Sequence, residues 1–158
     1  MMIKPAFDHD FSRVSREHYI TGKSAINFPT MRATGGWHSL AYFDRDSGVM
    51  KLSLAGIHYP DTTAFFSDAG ICDMSQELAR RGWSAGGRAV FMADHYRAAA
   101  DMVAKWAMSN SNHCNVEIAN WFPAEPDREI FLELLATGSI RLQELGRLGK
   151  VENWLRYQ

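Results

Sequence analysis

Apolar positions in the first half of the chain fall into two short alternating runs and then into stripes of helical spacing. Residues 37–43 and 49–55 are rich in aromatic and aliphatic side chains and are separated by Asp44-Arg45-Asp46-Ser47-Gly48, a pattern that predicts a β-hairpin. Leu40 and Tyr42 share a face with Met50, Leu52 and Leu54, because side chains alternate along a strand. His38 has the parity of Leu40, so it joins Lys51 and Ser53 on the opposite face only if the pleat is irregular. After Tyr59-Pro60, the oxygens of Asp61-Thr62-Thr63 suit a helix cap, and Phe65, Ala69, Cys72 and Gln76 make a loose stripe. Gly82, behind Arg80 and Arg81, suits a helix end, so one helix is expected over 62–81. Beyond Gly86-Gly87, Phe91, His95, Ala98, Met102 and Trp106 recur at helical spacing and predict an amphipathic rod over 88–109.

The flanks are less regular. Pro5, Pro29 and Gly35-Gly36 punctuate residues 1–36, where 12–20 is a candidate helix. Residues 110–115 predict a loop, 116–121 a strand and 123–126 a turn. A short helix over 127–136 turns Ile130, Phe131, Leu134 and Leu135 inward and stops at Gly138. In the last twenty residues the alternation of Ile140 and Leu142 favours a terminal hairpin, while Leu145, Leu148 and Val151 can also be read as helical. With no internal repeat or linker-like tract, the whole pattern predicts a single α+β domain over 1–158, its antiparallel sheet nucleated by the hairpin at 37–55 and packed against two or three helices.

Composition narrows the class. A chain of 158 residues buries roughly two-thirds of the surface its unfolded form exposes, so its core needs no metal or disulfide. Hydrophobic residues make up 46% and charged residues 22%, far from the signature of disorder. Seventeen basic and 18 acidic side chains are scattered to a net charge of -1, so no basic block signals nucleic-acid binding. Cys72 and Cys114 lack the spacing of a disulfide scaffold and read as structural thiols. The first ten residues carry acids, and nowhere do eighteen apolar residues run together, which predicts a cytoplasmic protein with no membrane span.

Candidate chemistry is sparse. Thr21-Gly22-Lys23-Ser24 invites comparison with a phosphate-binding loop, but the first glycine of that motif falls at Glu17, whose charge repels phosphate. No serine sits between glycines two positions away on either side, as a nucleophile elbow requires. Asp8-His9-Asp10 is a histidine between acids with no upstream histidine to complete a metal site, and His113-Cys114 has no second ligand at zinc spacing, so neither a metal nor a cofactor is implied. Two acid and histidine pairs remain as catalytic candidates. His58 and Asp61 flank the hand-over from hairpin to helix, where a side chain is both exposed and held. In Asp94-His95, the histidine falls on the apolar stripe, so it is either a satisfied core residue or a perturbed base awaiting a carboxylate. Trp121, Phe122 and Trp154 lie in irregular stretches, and as exposed aromatics they would mark a partner surface.

The segment of roughly 35 to 105 resembles the plasmid-borne antirestriction proteins of the ArdB and KlcA type, through Gly35-Gly36-Trp37, Gly56-Ile57-His58-Tyr59, Ser67-Asp68-Ala69-Gly70-Ile71 and Asp94-His95-Tyr96-Arg97. This chain carries Asp46-Ser47-Gly48 where that family has an Asn-Gly-Gly turn, and its last fifty residues have no counterpart there. The resemblance implies a small α+β protein from a mobile element that blocks a DNA-targeting host defence through protein contacts, and it carries over no active site. The expected function is therefore a non-enzymatic binding or inhibitor module with a protein partner. Its rivals are a small metal-independent enzyme using His58 or His95 with a carboxylate, and a small-molecule-binding domain whose pocket lies between sheet and helices.

Overall fold

Short strands and helices alternate along the chain. In the computed structural model, which describes residues 10–30, 34, 39–44 and 46–158 and the backbone of 7–8, the order is β1 (Phe7–Asp8), α1 (Gly22–Ile26), a 3-10 turn (Leu40–Tyr42), β2 (Phe43–Asp44), β3 (Val49–Met50), α2 (Thr63–Phe66), β4 (Ile71–Asp73), α3 (Ser75–Arg80), β5 (Trp83–Ser84), β6 (Phe91–Ala93), α4 (His95–Ala107), α5 (Ile118–Trp121), α6 (Glu125–Thr137), α7 (Ser139–Glu144) and α8 (Leu148–Leu155). The architecture is α+β.

The sheet is assembled from pieces far apart in sequence. β4 runs antiparallel to β6, with Ile71 opposite Ala93 and Asp73 opposite Phe91. On the other edge of β6, Ile20 donates its N–H to the Phe91 carbonyl (2.9 Å) and accepts from Ala93 N–H (2.8 Å). Thr21 N–H then reaches the Ser53 carbonyl (2.9 Å) and Ala55 N–H the Tyr19 carbonyl (3.0 Å), so residues 19–21 act as the central ribbon between β6 and 53–55. β2 and β3 pair antiparallel, with Phe43 opposite Met50, while β1 and β5 pair in parallel.

α4 packs beneath this layer. Asp94 holds extended backbone and accepts Arg97 N–H on its carboxylate at 2.8 Å, satisfying one of the amides that a helix start leaves free. Every residue of α4 is buried except Lys105, because α1, β6, α6 and α8 surround it. Alanines at 98, 99, 100, 104 and 107 let these neighbours approach closely. Below α4, Phe122 stacks between Tyr96 (ring centroids 5.5 Å apart) and Phe131 (4.9 Å), tying α4 to α6.

Several expected elements differ from the observed ones. The hairpin at 37–55 is confirmed at β2 and β3 but is shorter, since residues 40–42 wind into a 3-10 turn that leaves Leu40 78% exposed; Trp37 and His38 lie outside the described residues. The expected helix over 62–81 is two helices with β4 between them. Asp61 accepts the N–H of Thr63 at its start, although the capping position itself is Thr62, and Ser67 (φ 54°) and Gly70 (φ 76°) enter the left-handed region and turn the chain into the sheet. A Cβ on Gly70 would stand 2.7 Å from the Asp94 carboxylate and 2.8 Å from Arg97 Cβ, so that turn requires glycine. Cys72, expected inward, is exposed on β4.

The rod expected over 88–109 begins at His95, and Phe91 belongs to β6, where its carbonyl accepts Ile20 N–H and its Cα lies opposite Asp73. Residues 12–20 form turns and the central ribbon instead of a helix, and 118–121 form a helical turn instead of a strand. The expected terminal hairpin is α7 and α8, separated by Gly146 at φ 69°. Leu142 is buried and Ile140 75% exposed, which is helical placement. The helix expected over 127–136 is α6 with Gly138 at its end, although Ile130 faces solvent. No helix among the described residues is long and apolar enough to cross a membrane.

Candidate functional site

His58 and Asp61 are close in sequence but serve different local turns. His58 Nδ1 accepts Leu54 N–H at 2.9 Å, so its ring closes the 54–58 turn. Asp61 accepts the N–H and hydroxyl of Thr63 (2.9 and 2.7 Å), and these donors hold its carboxyl below the usual range. Asp94 is occupied in capping α4, and burial pushes its carboxyl up. His95 is sealed in the core: Nε2 donates to the Phe28 carbonyl (2.8 Å) and Nδ1 meets the Thr34 hydroxyl. Each of the four catalytic candidates therefore has a structural task. Trp121 and Phe122 are core residues, so they are withdrawn as a partner surface, while Trp154 is half-buried with its ring 5.9 Å from that of Trp106. His9 lies outside the described residues. Among the described residues no group of three His, Cys, Asp or Glu side chains is placed to hold a metal ion.

One polar cluster has no counterpart in the sequence reading. Arg97 and Asp101, one turn apart on α4, form a fully buried ion pair with Nε to Oδ1 at 3.0 Å. Asp101 also accepts the hydroxyls of Tyr19 (2.7 Å), Thr21 (2.7 Å) and Thr62 (2.6 Å), and Arg97 donates to the Ala69 carbonyl (2.7 Å) and to Thr62 (3.1 Å). The rings of Tyr19 and Phe66 cover the guanidinium at 5.4 and 5.3 Å. Burial and the Asp101 charge together push the Tyr19 phenol far up. With its donors and acceptors matched and water excluded, this network joins α4, α2 and the central ribbon; it does not present a reactive group.

A cleft opens on the other side of α4's C-terminal half, with a volume of about 270 Å³. Three separate segments wall it. α1 contributes Lys23, and the turn before Pro60 contributes Tyr59, whose hydroxyl accepts Lys23 N–H at 3.2 Å. That contact exists because position 22 is glycine: a Cβ there would stand 2.1 Å from the tyrosine ring. α4 contributes Met102, Lys105 and Trp106, and Lys105 spans Tyr59 with its ammonium 4.5 Å from the ring centroid and 3.1 Å from the His58 carbonyl. The loop after α4 adds Ser109, Ser111, His113, Asn115 and Val116.

Two features make this cleft chemically distinct. Lys23 and Lys105 line it while no acidic side chain among the described residues does, so its potential is positive. Trp106 is 9% exposed, and its indole N–H is the one buried side-chain polar group among the described residues without a hydrogen-bond partner. An unsatisfied buried donor costs about 1–3 kcal/mol, which is why native proteins carry few of them. The loop wall is held from behind by Lys150 of α8, whose ammonium donates to the Trp106 (3.0 Å) and Ser109 (2.8 Å) carbonyls and sits 4.6 Å from the Trp106 ring.

Searches against protein-family models, curated proteins and solved structures found no match to this chain. Lys23, Lys105, Trp106 and His113 were not legible as a site, because no fixed spacing joins them. Lys105 is one of several charges on the run from 88 to 109, beside Arg97 and Asp101, so its charge alone singled out no site.

Proposed function

We propose that this protein is a binding module whose principal site is the cleft formed by α1, the Tyr59 turn and the C-terminal half of α4. The observation that carries this reading is a cavity edged by Lys23 and Lys105 with no acidic side chain among the described residues lining it. A pocket with apolar walls and a few convergent polar groups is the usual form of a small-molecule site, and 270 Å³ suits a compact ligand. The test is a ligand screen followed by nuclear magnetic resonance on the full chain with a chemically mixed metabolite set. The expected result is that ligands shift amide signals of Lys105, Ser111 and Asn115 together. Hits that cluster elsewhere, or no hits, would reject the cleft as the site.

A second reading is a protein contact, in which the chain inhibits a component of a host DNA-targeting defence as the resemblance to ArdB-type and KlcA-type antirestriction proteins implies. The contact surface it would use is a small apolar groove of about 110 Å³ between α6, α7 and α8, with Leu132, Leu148 and Leu155 along its length, in the part of the chain that lies beyond the resemblance. Co-expression with a restriction system tests it. Incoming DNA should escape restriction, and Leu132→Glu should restore restriction without unfolding the protein; intact restriction beside the unaltered protein would refute it.

A further inference from the structure

We infer that the cleft takes a compact phosphate monoester carrying a flat ring, of the kind a nucleoside 5′-monophosphate represents. This rests on the cleft being the binding site and adds the chemistry of what fills it. Two ammonium groups without a lining carboxylate match a dianion better than a single carboxylate, since one carboxylate would leave a net positive charge behind. Lysine meets phosphate as a point charge, so neither Lys23 nor Lys105 needs the planar fork that arginine brings to a carboxylate. Lys23 has no side-chain partner among the described residues, and Lys105 spends one donor on the His58 carbonyl and keeps two.

The remaining walls fit the other half of such a molecule. Tyr59, Met102, Trp106 and Val116 are nearly buried and bring the apolar edges of the walls, with Lys105 over the Tyr59 ring and Lys150 over the Trp106 ring. Flat heterocycles pack against aromatic side chains with little dependence on their identity. Asn115 brings an amide that both donates and accepts, and the Trp106 ring, whose N–H is buried without a partner, senses changes in the wall. The size of the cavity admits one small molecule and not a folded polymer.

The indole N–H supplies the readout. In protein carrying nitrogen-15 in its tryptophan rings, the Trp106 signal is the one missing from Trp106→Phe, and the probes are adenosine 5′-monophosphate, adenosine, inorganic phosphate and benzoate. Adenosine 5′-monophosphate should move that signal saturably, more tightly than the other three, and less tightly as ionic strength rises. Lys23→Gln and Lys105→Gln should each weaken binding by about tenfold or more, Lys105→Arg should keep most of it, and Lys51→Gln, whose ammonium lies over Tyr42, should leave it unchanged. Adenosine or benzoate binding as tightly as the monophosphate, or indifference to both lysine changes, would overturn the ligand class while leaving the cleft as a site. Inorganic phosphate binding equally well would overturn the ring. Silence of the Trp106 signal and of the cleft amides to every probe would overturn the ligand class and the cleft together.

Discussion

Asp101 gathers four donors, from Arg97, Tyr19, Thr21 and Thr62, in a place that water does not reach. Removing its positive partner should strand the charge, so Arg97→Met is expected to lose about 3–5 kcal/mol of stability, read as a fall in the urea midpoint. The sequence did not disclose this cluster. An acid four residues after an arginine on a helix reads as a surface pair worth a few tenths of a kcal/mol, roughly 0.2–0.5. What makes it a core pair is the small size of Ala98, Ala99, Ala100 and Ala104, which lets the sheet close over it, and three hydroxyls that lie 39, 80 and 82 residues away. His95 was different. Its position on the apolar stripe correctly placed it inside, but its partners, Phe28 and Thr34, carry no pattern that points to a histidine.

Among the elements, α4 was legible in kind and misplaced at its start. The apolar stretch from Val90 to Ala93 has the character of a buried strand, yet Phe91 falls at helical spacing with His95, and periodicity alone does not separate the two. Asp94 is the true boundary and has a testable signature. Burial raises its carboxyl in the folded state, so the folded protein holds that proton more tightly than the unfolded chain, and this group's contribution to stability declines as pH rises from about 4 through the raised value. Asp94→Asn keeps the capping oxygen without the charge; its stability relative to the parent, measured by denaturant titration, should improve over that pH interval. α7 and α8 were missed because Ile140 and Leu142 mimic strand alternation, while the Gly146 turn that joins the two helices leaves no such mark on the apolar pattern. α8 has a task beyond packing. Lys150→Met removes both bonds to the end of α4, and hydrogen exchange across 106–116 should become faster while β4 and β6 stay protected.

For the whole molecule, titrating groups set the limits of stability on both sides. Asp61 and Asp73 are held low by donors from Thr63 and Ser75, so the stability they bring is present at neutral pH and is lost as pH falls through their lowered values. On the alkaline side, burial raises Tyr19 and Tyr59 above the ordinary phenol value, so the unfolded chain gives up these protons first and stability should fall above about pH 10. Thermal unfolding across that range checks this, and Tyr19→Phe should make the decline shallower. The α+β class was legible from the alternation of strand-like and helix-like runs; the joining of 19–21 to β6 and to 53–55 was not, since backbone pairing over such spans is indifferent to the side chains that a pattern reads. The ion pair inside α4 bears on how such a chain comes together. Arg97 and Asp101 meet as soon as the helix winds, a local event that closes no large loop. The pair thus needs no long-range ribbon in order to form, and a collapse that follows it carries inward a neutral unit in place of two bare ions.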